Sequence, residues 1–337
     1  MKLFTKIFTP LFALLSPSLK AAHPAVVKEE FVFTHPPTPS CHASTITQAS
    51  SGNLLCAWFG GTDEGEEDVC IWLSHSDGSE WSQPQKVAEA EDVPCWNPVL
   101  FTMPSKEILL FYKAGKTPRE WSGFLKRSFD EGKTWSEESG FPAGIVGPEK
   151  NKPLLLHNNT LLCGSARESY KRWGCWMDIT PDSGRTWTKS APINVPSQLF
   201  GIIQPALFYS KPGEIRMLTR SHQIGHICTA VSYDEGKTWT DAEATSLPNP
   251  NAGIDAVRLA DGRILLVYNH SQDKRSPLNV ALSEDGGATW DMKVILEDAS
   301  GEYSYPSVIQ TDNGYVHIVY TWKRKRIKHI VLDPTLF

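Results

Sequence analysis

The chain has 337 residues, 40% of them hydrophobic and 21% charged, which is enough apolar surface to bury a core and too much for a disordered tail. Its 33 Lys and Arg against 38 Asp and Glu leave a formal charge of −5, which excludes a protein that binds mainly by neutralising a nucleic-acid backbone. Gly and Pro, 24 of each, imply many turns.

Residues 1–22 read as an export signal. Lys2 and Lys6 flank an apolar stretch ending in Phe12-Ala13-Leu14-Leu15, and the small residues Ala21-Ala22 follow. The mature unit is then 23–337, secreted or periplasmic. No later segment approaches the roughly 20 apolar residues a membrane-spanning helix needs. The seven cysteines are an odd number without any CxxC pair, so at least one thiol stays unpaired within the chain, and neither a metal nor another cofactor is expected.

From there the chain repeats. The pattern SxDxGxTW runs from Ser128 to Trp135, Ser232 to Trp239 and Ser283 to Trp290, with a Thr-led copy from Thr180 to Trp187 and a degenerate one from Ser74 to Trp81. Its aspartates, Asp77, Asp130, Asp182, Asp234 and Asp285, recur with a period of about 52 residues, as propeller blades do. Each period holds strand-like runs separated by turn residues, for example 97–102, 107–113, 123–129 and 134–136, which is one four-stranded antiparallel blade. Six periods fit the mature length, and helical periodicity is nowhere sustained. The expected fold is all-β, a six-bladed β-propeller. Its last blade supplies only 305–310, 315–322 and 327–332, so residues 30–34 are expected to add the fourth strand and close the ring. In each box the Asp and Ser side chains bond turn amides, Gly takes a positive φ and Trp packs between blades.

Together with the runs Cys41-His42-Ala43-Ser44-Thr45-Ile46, Trp58-Phe59-Gly60-Gly61-Thr62, Pro248-Asn249-Pro250-Asn251 and Gly301-Glu302-Tyr303-Ser304-Tyr305-Pro306, the boxes make the chain resemble the sialidase (neuraminidase) superfamily, in particular its exported proteins with BNR repeats.

Blade order places chemistry on one face. The inner strands are expected to begin at His42, Asn97, Lys152, Gln204, Asp255 and Tyr305, a ring of polar side chains around the axis. The returning second strands end on the same face, at Lys113, Arg167 with Glu168, Arg220, Asn269 and Trp322. The loops that follow add Asp63, Glu64, Glu66, Glu67, Asp68, Trp121, His270 and Arg275 around the rim.

In the sialidase family a tyrosine is the nucleophile, three arginines hold the sugar carboxylate, a glutamate activates the tyrosine and a loop acid protonates the leaving group. The resemblance assigns the nucleophile to Tyr305, with Tyr303 as the fallback, the second arginine to Arg220 and the acid to Glu64 or Asp63. His42 stands where the first arginine belongs, Asn269 stands near the third, and Gln204 occupies the glutamate's place with an amide that takes up no proton. Lys152, Lys113 and Arg275 are the candidate helpers of Arg220, and His42 the group titrating near neutral pH.

The resulting expectation is an exo-acting glycoside hydrolase that removes a terminal acidic or sialic-acid-like sugar from glycans. Asn97, Lys152, Arg167, Glu168, Gln204, Arg220, Asp255, Asn269 and Arg275 would bind substrate, and the protein would act as a monomer. Two alternatives stay open: a polysaccharide lyase using His, Tyr and Arg on uronic-acid glycans, and a propeller that binds glycans on Trp96, Trp121, Trp173, Trp176 and Trp322 without turnover. The Lys323-Arg324-Lys325-Arg326 run reads as a solvated loop.

Overall fold

The computed structural model describes residues 23–198 and 200–337; the export signal expected at 1–22 lies outside them. Six four-stranded antiparallel sheets form the blades of a propeller. Blade four is typical. Its inner strand Ile202–Lys211 pairs with Glu214–Ser221, then His226–Ser232, then the outer Glu243–Pro248. No helix among the described residues is long and apolar enough to cross a membrane. All seven cysteines are free, and six are buried as small hydrophobes.

The ring closes as expected, with a shift. Val26–Phe31, rather than 30–34, pairs antiparallel with Arg326–Leu332 to complete blade six. The closing strand is tied by Glu30, whose Oε1 accepts from Trp81 Nε1 at 3.1 Å and faces Lys28 Nζ and His329 Nδ1 at 3.0 Å each. His329 Nε2 in turn lies 3.0 Å from His317 Nδ1.

The boxes lie on the face opposite the mouths of the inner strands and fasten neighbouring blades. In blade two Asp130 accepts from the Thr134 amide and hydroxyl, and Ser128 Oγ accepts from the Gly132 amide. These bonds hold Thr134 and Trp135 in a turn, so the outer strand is Ser139–Gly140 rather than 134–136. Gly132 has φ +84°, and a Cβ there would fall 2.4 Å from Leu55 of blade one. A side chain at that point would push the two blades apart.

Four of the six inner strands carry a bulge at the mouth. Ladder pairing skips two residues between His42 and Thr45, Trp96 and Val99, Ile203 and Ala206, and Ser304 and Ser307. Within the skipped pairs Ala43, Asn97, Gln204 and Tyr305 take φ of +55°, +35°, +58° and +53°. These non-glycine residues occupy the left-handed region at about 1–2 kcal/mol each. The register corrects the sequence alignment by one residue: Ala43, not His42, is equivalent to Asn97, Gln204 and Tyr305.

Blades three and five lack the bulge and pin the axis instead. Lys152 Nζ donates to Asp255 Oδ2 at 2.8 Å and to the Ala256 carbonyl at 2.9 Å, and Asp255 also accepts from the Val308 amide at 2.8 Å. Buried Lys150 donates to Asn151 Oδ1, to the Ile254 carbonyl and, in a short contact, to the Pro306 carbonyl. These lysines join blade three to blades five and six.

Two outcomes follow from this packing. Lys150→Met leaves the Ile254 and Pro306 carbonyls without a donor and should destabilise the ring by about 2–5 kcal/mol, measured by urea unfolding; an unchanged midpoint would contradict the pinning role. The seam should be acid-labile. Burial, helped by the His329 and Lys28 charges, holds His317 at about 4 against 6.5, and the bonds from His329 and Lys28 outweigh burial and bring Glu30 to about 2 against 4.5. Both pKa values are depressed, so the His317 contribution is full above pH 6.5 and lost toward pH 4, and the Glu30 contribution is full above 4.5 and lost toward 2. The melting temperature should therefore fall between pH 6.5 and 4, and His317→Asn should flatten that slope. An equal slope in both proteins would remove His317 from the seam.

Candidate active site

The bulges aim Gln204 and Tyr305 across the axis at each other, and Arg220 reaches the same point from the second strand of blade four. Arg220 NH1 donates to Tyr305 Oη at 2.6 Å and to Gln204 Oε1 at 3.3 Å, and Gln204 Nε2 donates to Tyr305 Oη at 3.3 Å. The other side of the guanidinium is held by Asn251, through Nε to Oδ1 at 2.9 Å and NH2 to the carbonyl at 2.5 Å. A Cβ on Gly253 would lie 3.3 Å from both Gln204 Oε1 and the Tyr305 ring, so the absence of a side chain lets blade five approach this close. Tyr305, Gln204 and Arg220 are all buried.

His42 completes the cluster from blade one. Its ring centroid is 4.1 Å from that of Tyr305, and Nδ1 lies 2.9 Å from Thr321 Oγ1. Burial, reinforced by the positive charges of Arg324, Arg275, Arg220 and Lys150, pushes its pKa well below the usual imidazole value. The ring is therefore neutral at physiological pH.

A charged network runs along the rim. Glu302 Oε1 accepts from Arg275 NH1 at 2.7 Å, Arg324 Nε at 2.7 Å and Ser304 Oγ at 2.9 Å. Arg324 also forms a short ion pair with Glu64. The Arg275 guanidinium is 5.6 Å from the Tyr305 ring centroid, as is that of Arg220. Arg324 and Glu302 were not among the sequence candidates. Arg324 follows the second strand of blade six, and the direction rule that placed Arg275 would have found it.

Below the cup, Glu149 is fully buried with neither carboxyl oxygen hydrogen-bonded, and burial pushes its pKa up to about 8. Burial also raises the Glu168 carboxyl, against the nearby charges of Arg220 and Arg119, while the Glu64 charge adds to the rise. Lys113 donates to the Pro148 carbonyl at 2.6 Å, and burial lowers it to about 8.

The structure thus brings together His42, Gln204, Arg220, Tyr305 and, at the edge, Arg275. Several other candidates stand apart. Tyr303 is not an equivalent of Tyr305: the intervening bulge breaks the two-residue alternation, and its ring packs into the core of blades five and six. Asn269 spends its amide protons on the Pro277 and Tyr303 carbonyls. Lys152 and Asp255 neutralise each other at the axis. Arg167 donates to the Arg119 carbonyl. Asp63 is exposed and accepts from the Glu64 amide in its own loop, while Asn97 is buried at its bulge. Among the described residues no cluster of three or more His, Cys, Asp or Glu could hold a metal ion.

Comparison with known proteins agrees with this architecture. Residues 52–318 match the family model described as a BNR repeat-like domain. A sialidase of Bacteroides fragilis is 22% identical over 234 residues, 61% of this chain and 42% of its own length. A sialidase of Micromonospora viridifaciens is 24% identical over 296 residues, 81% of this chain and 39% of its own. The chain therefore spans well under half of either relative. Among solved structures, a protein of unknown function from Dyadobacter fermentans superposes with TM-score 0.77 at 20% identity, covering 92% of this chain and 99% of that one. The NanB sialidase of Streptococcus pneumoniae superposes with TM-score 0.73 at 15% identity, covering 91% and 71%. With the family model spanning most of its length and six boxed blades around one axis, the chain belongs to the BNR repeat-like family and has the sialidase-like six-bladed propeller fold.

Proposed function

We propose that the protein is an exo-acting glycoside hydrolase that removes a terminal acidic sugar from glycans. The observation that carries this reading is the contact of Arg220 NH1 with Tyr305 Oη at 2.6 Å, with the Gln204 amide beside it. Tyr305 Oη attacks the anomeric carbon, and the Arg220 cation stabilises negative charge gathering on the attacking oxygen. Gln204 orients the phenol and takes no proton. His42, held neutral by burial and by the surrounding cations, packs its ring against that of Tyr305 and positions the phenol, whose proton passes to water in the cup as the bond to the anomeric carbon forms. The departing glycan oxygen is protonated by Glu168, whose carboxyl burial raises and beside which the Glu64 charge lies. Water then cleaves the sugar from Tyr305, and the protons return. Arg275, with Arg324 behind it, supplies positive charge for the sugar's acidic group.

One observation favours a second reading. The side chain touching the phenol is an amide, not a carboxylate, and a Tyr and His pair beside an arginine also suits β-elimination from a uronate. A screen of sialylated, uronate-rich and rhamnose-rich glycans in water labelled with oxygen-18 separates the two. Hydrolysis puts one labelled oxygen on the released sugar, whereas elimination gives an unsaturated, ultraviolet-absorbing product without label. Tyr305→Phe should lower the rate of sugar release by roughly 10²–10⁴-fold while the variant still unfolds cooperatively from a folded propeller. Release that survives the substitution would remove Tyr305 from the mechanism.

A further inference from the structure

Beside the cup, on the far side of Arg220, lies an open cleft of about 310 Å³. Ser221, Gln223, Asn251 and Gln272 supply its polar wall, and Ile224 and Pro250 its apolar one. No charged side chain lines it among the described residues. It starts where the catalytic cluster ends, because Asn251 both lines the cleft and holds Arg220 by Oδ1 and its carbonyl. Asn251 is committed on its other edge as well, with Nδ2 lying 3.0 Å from His222 Nδ1. The His222 ring stacks on Trp173 at 4.5 Å, which backs this wall with a rigid aromatic pair.

Gln223 and Gln272 differ from Asn251. Both are exposed, and neither amide makes a hydrogen bond among those described. Gln272 Nε2 lies over Gly225, 3.5 Å from the point a Cβ would occupy, and Gly225 itself has φ +76°. A Cβ there would only touch the Gln272 amide, so it is the positive φ that favours glycine at this turn.

We infer that this cleft is a second sugar subsite, which takes a neutral, hydroxyl-bearing residue of the glycan whose terminal sugar occupies the cup. A carboxamide presents donors and an acceptor side by side, the pattern that neighbouring sugar hydroxyls match, and it does so without charge. An anionic residue finds no free cation here, since the NH1, NH2 and Nε groups of Arg220 are directed to Tyr305, Gln204 and Asn251. Ile224 and Pro250 offer the apolar surface that the face of a sugar ring covers. The inference rests on the reading of the cup as a glycan-cleaving site and adds to it the charge class of the adjoining sugar.

The test uses the full chain labelled with nitrogen-15 and follows the side-chain amide resonances of Gln223 and Gln272, assigned by Gln223→Ala and Gln272→Ala. Lactose and N,N′-diacetylchitobiose are the neutral probes and a hyaluronan tetrasaccharide the anionic one. A neutral probe should shift both resonances, and either substitution should weaken its binding by roughly three- to tenfold with the melting temperature unchanged. If neither neutral probe moves either resonance up to its solubility limit, or the hyaluronan fragment binds the cleft more tightly than both, the inference is overturned. The titration needs no turnover and is repeated in Tyr305→Phe. Shifts without sugar release from any glycan would preserve the cleft as a sugar site and defeat the hydrolase reading; release without shifts would do the reverse.

Discussion

The site depends on a local backbone constraint: an inner strand that begins with a bulge turns a side chain toward the axis that regular pleating would send elsewhere. At Gln204 and Tyr305 the left-handed residue is followed by proline, so the conformation is costly twice over, by the Cβ clash and by the restriction on residues preceding proline. The surrounding ladder holds it. Ile203 pairs with Arg220 and Ser304 with Thr321 immediately before the two bulges. The strand that carries the phenol is thereby registered against the residue that anchors His42, and the strand that carries Gln204 against the arginine that meets the phenol. Strained backbone of this kind is retained where surrounding structure over-determines it, commonly at functional sites.

Around those bulges the protein distributes charge in two ways. At the axis the Lys152 and Asp255 pair is internally neutralised and the Lys150 ammonium is spent on neighbouring blades, so these groups close the floor. At the rim Arg275 and Arg324 share Glu302, and Arg324 also carries Glu64. Arg220, Arg275 and Arg324 against Glu302 and Glu64 leave one net positive charge in the cup, which suits a ligand bearing a single negative charge. Every one of these groups comes from a different part of the chain, and only a closed ring keeps them in reach of one another.

Much of this was legible in the sequence, for definable reasons. The aspartates of the four full boxes, Asp130, Asp182, Asp234 and Asp285, repeat because each fastens the same turn through the amide and hydroxyl of the threonine four residues on, and that period reveals the blades. Strand direction alternates, so it assigns residues to a face, and His42, Arg220 and Tyr305 do meet. What was not legible is register within that face. Prolines mark the bulges at Asn97, Gln204 and Tyr305, but Ser44 follows Ala43, and without that marker His42 is displaced by one. Tyr303 obeys a two-residue alternation that the bulge at Tyr305 breaks. Lys152 and Asp255 look like ligand-binding groups in the sequence, but the fold brings them together and they bind each other. Arg324 was hidden inside a basic run whose composition resembles any solvated loop.

The account's central claim is that Tyr305, fixed by Arg220 and Gln204, is the group that reacts with the sugar. The most direct measurement is to trap the intermediate with a fluorinated analogue of the sugar the protein releases and to map the label by peptide mass spectrometry. The account predicts one sugar per chain, carried on the peptide that contains Tyr305 and absent from Tyr305→Phe. A label on any other residue, or steady turnover of the analogue by the Phe variant, would contradict it.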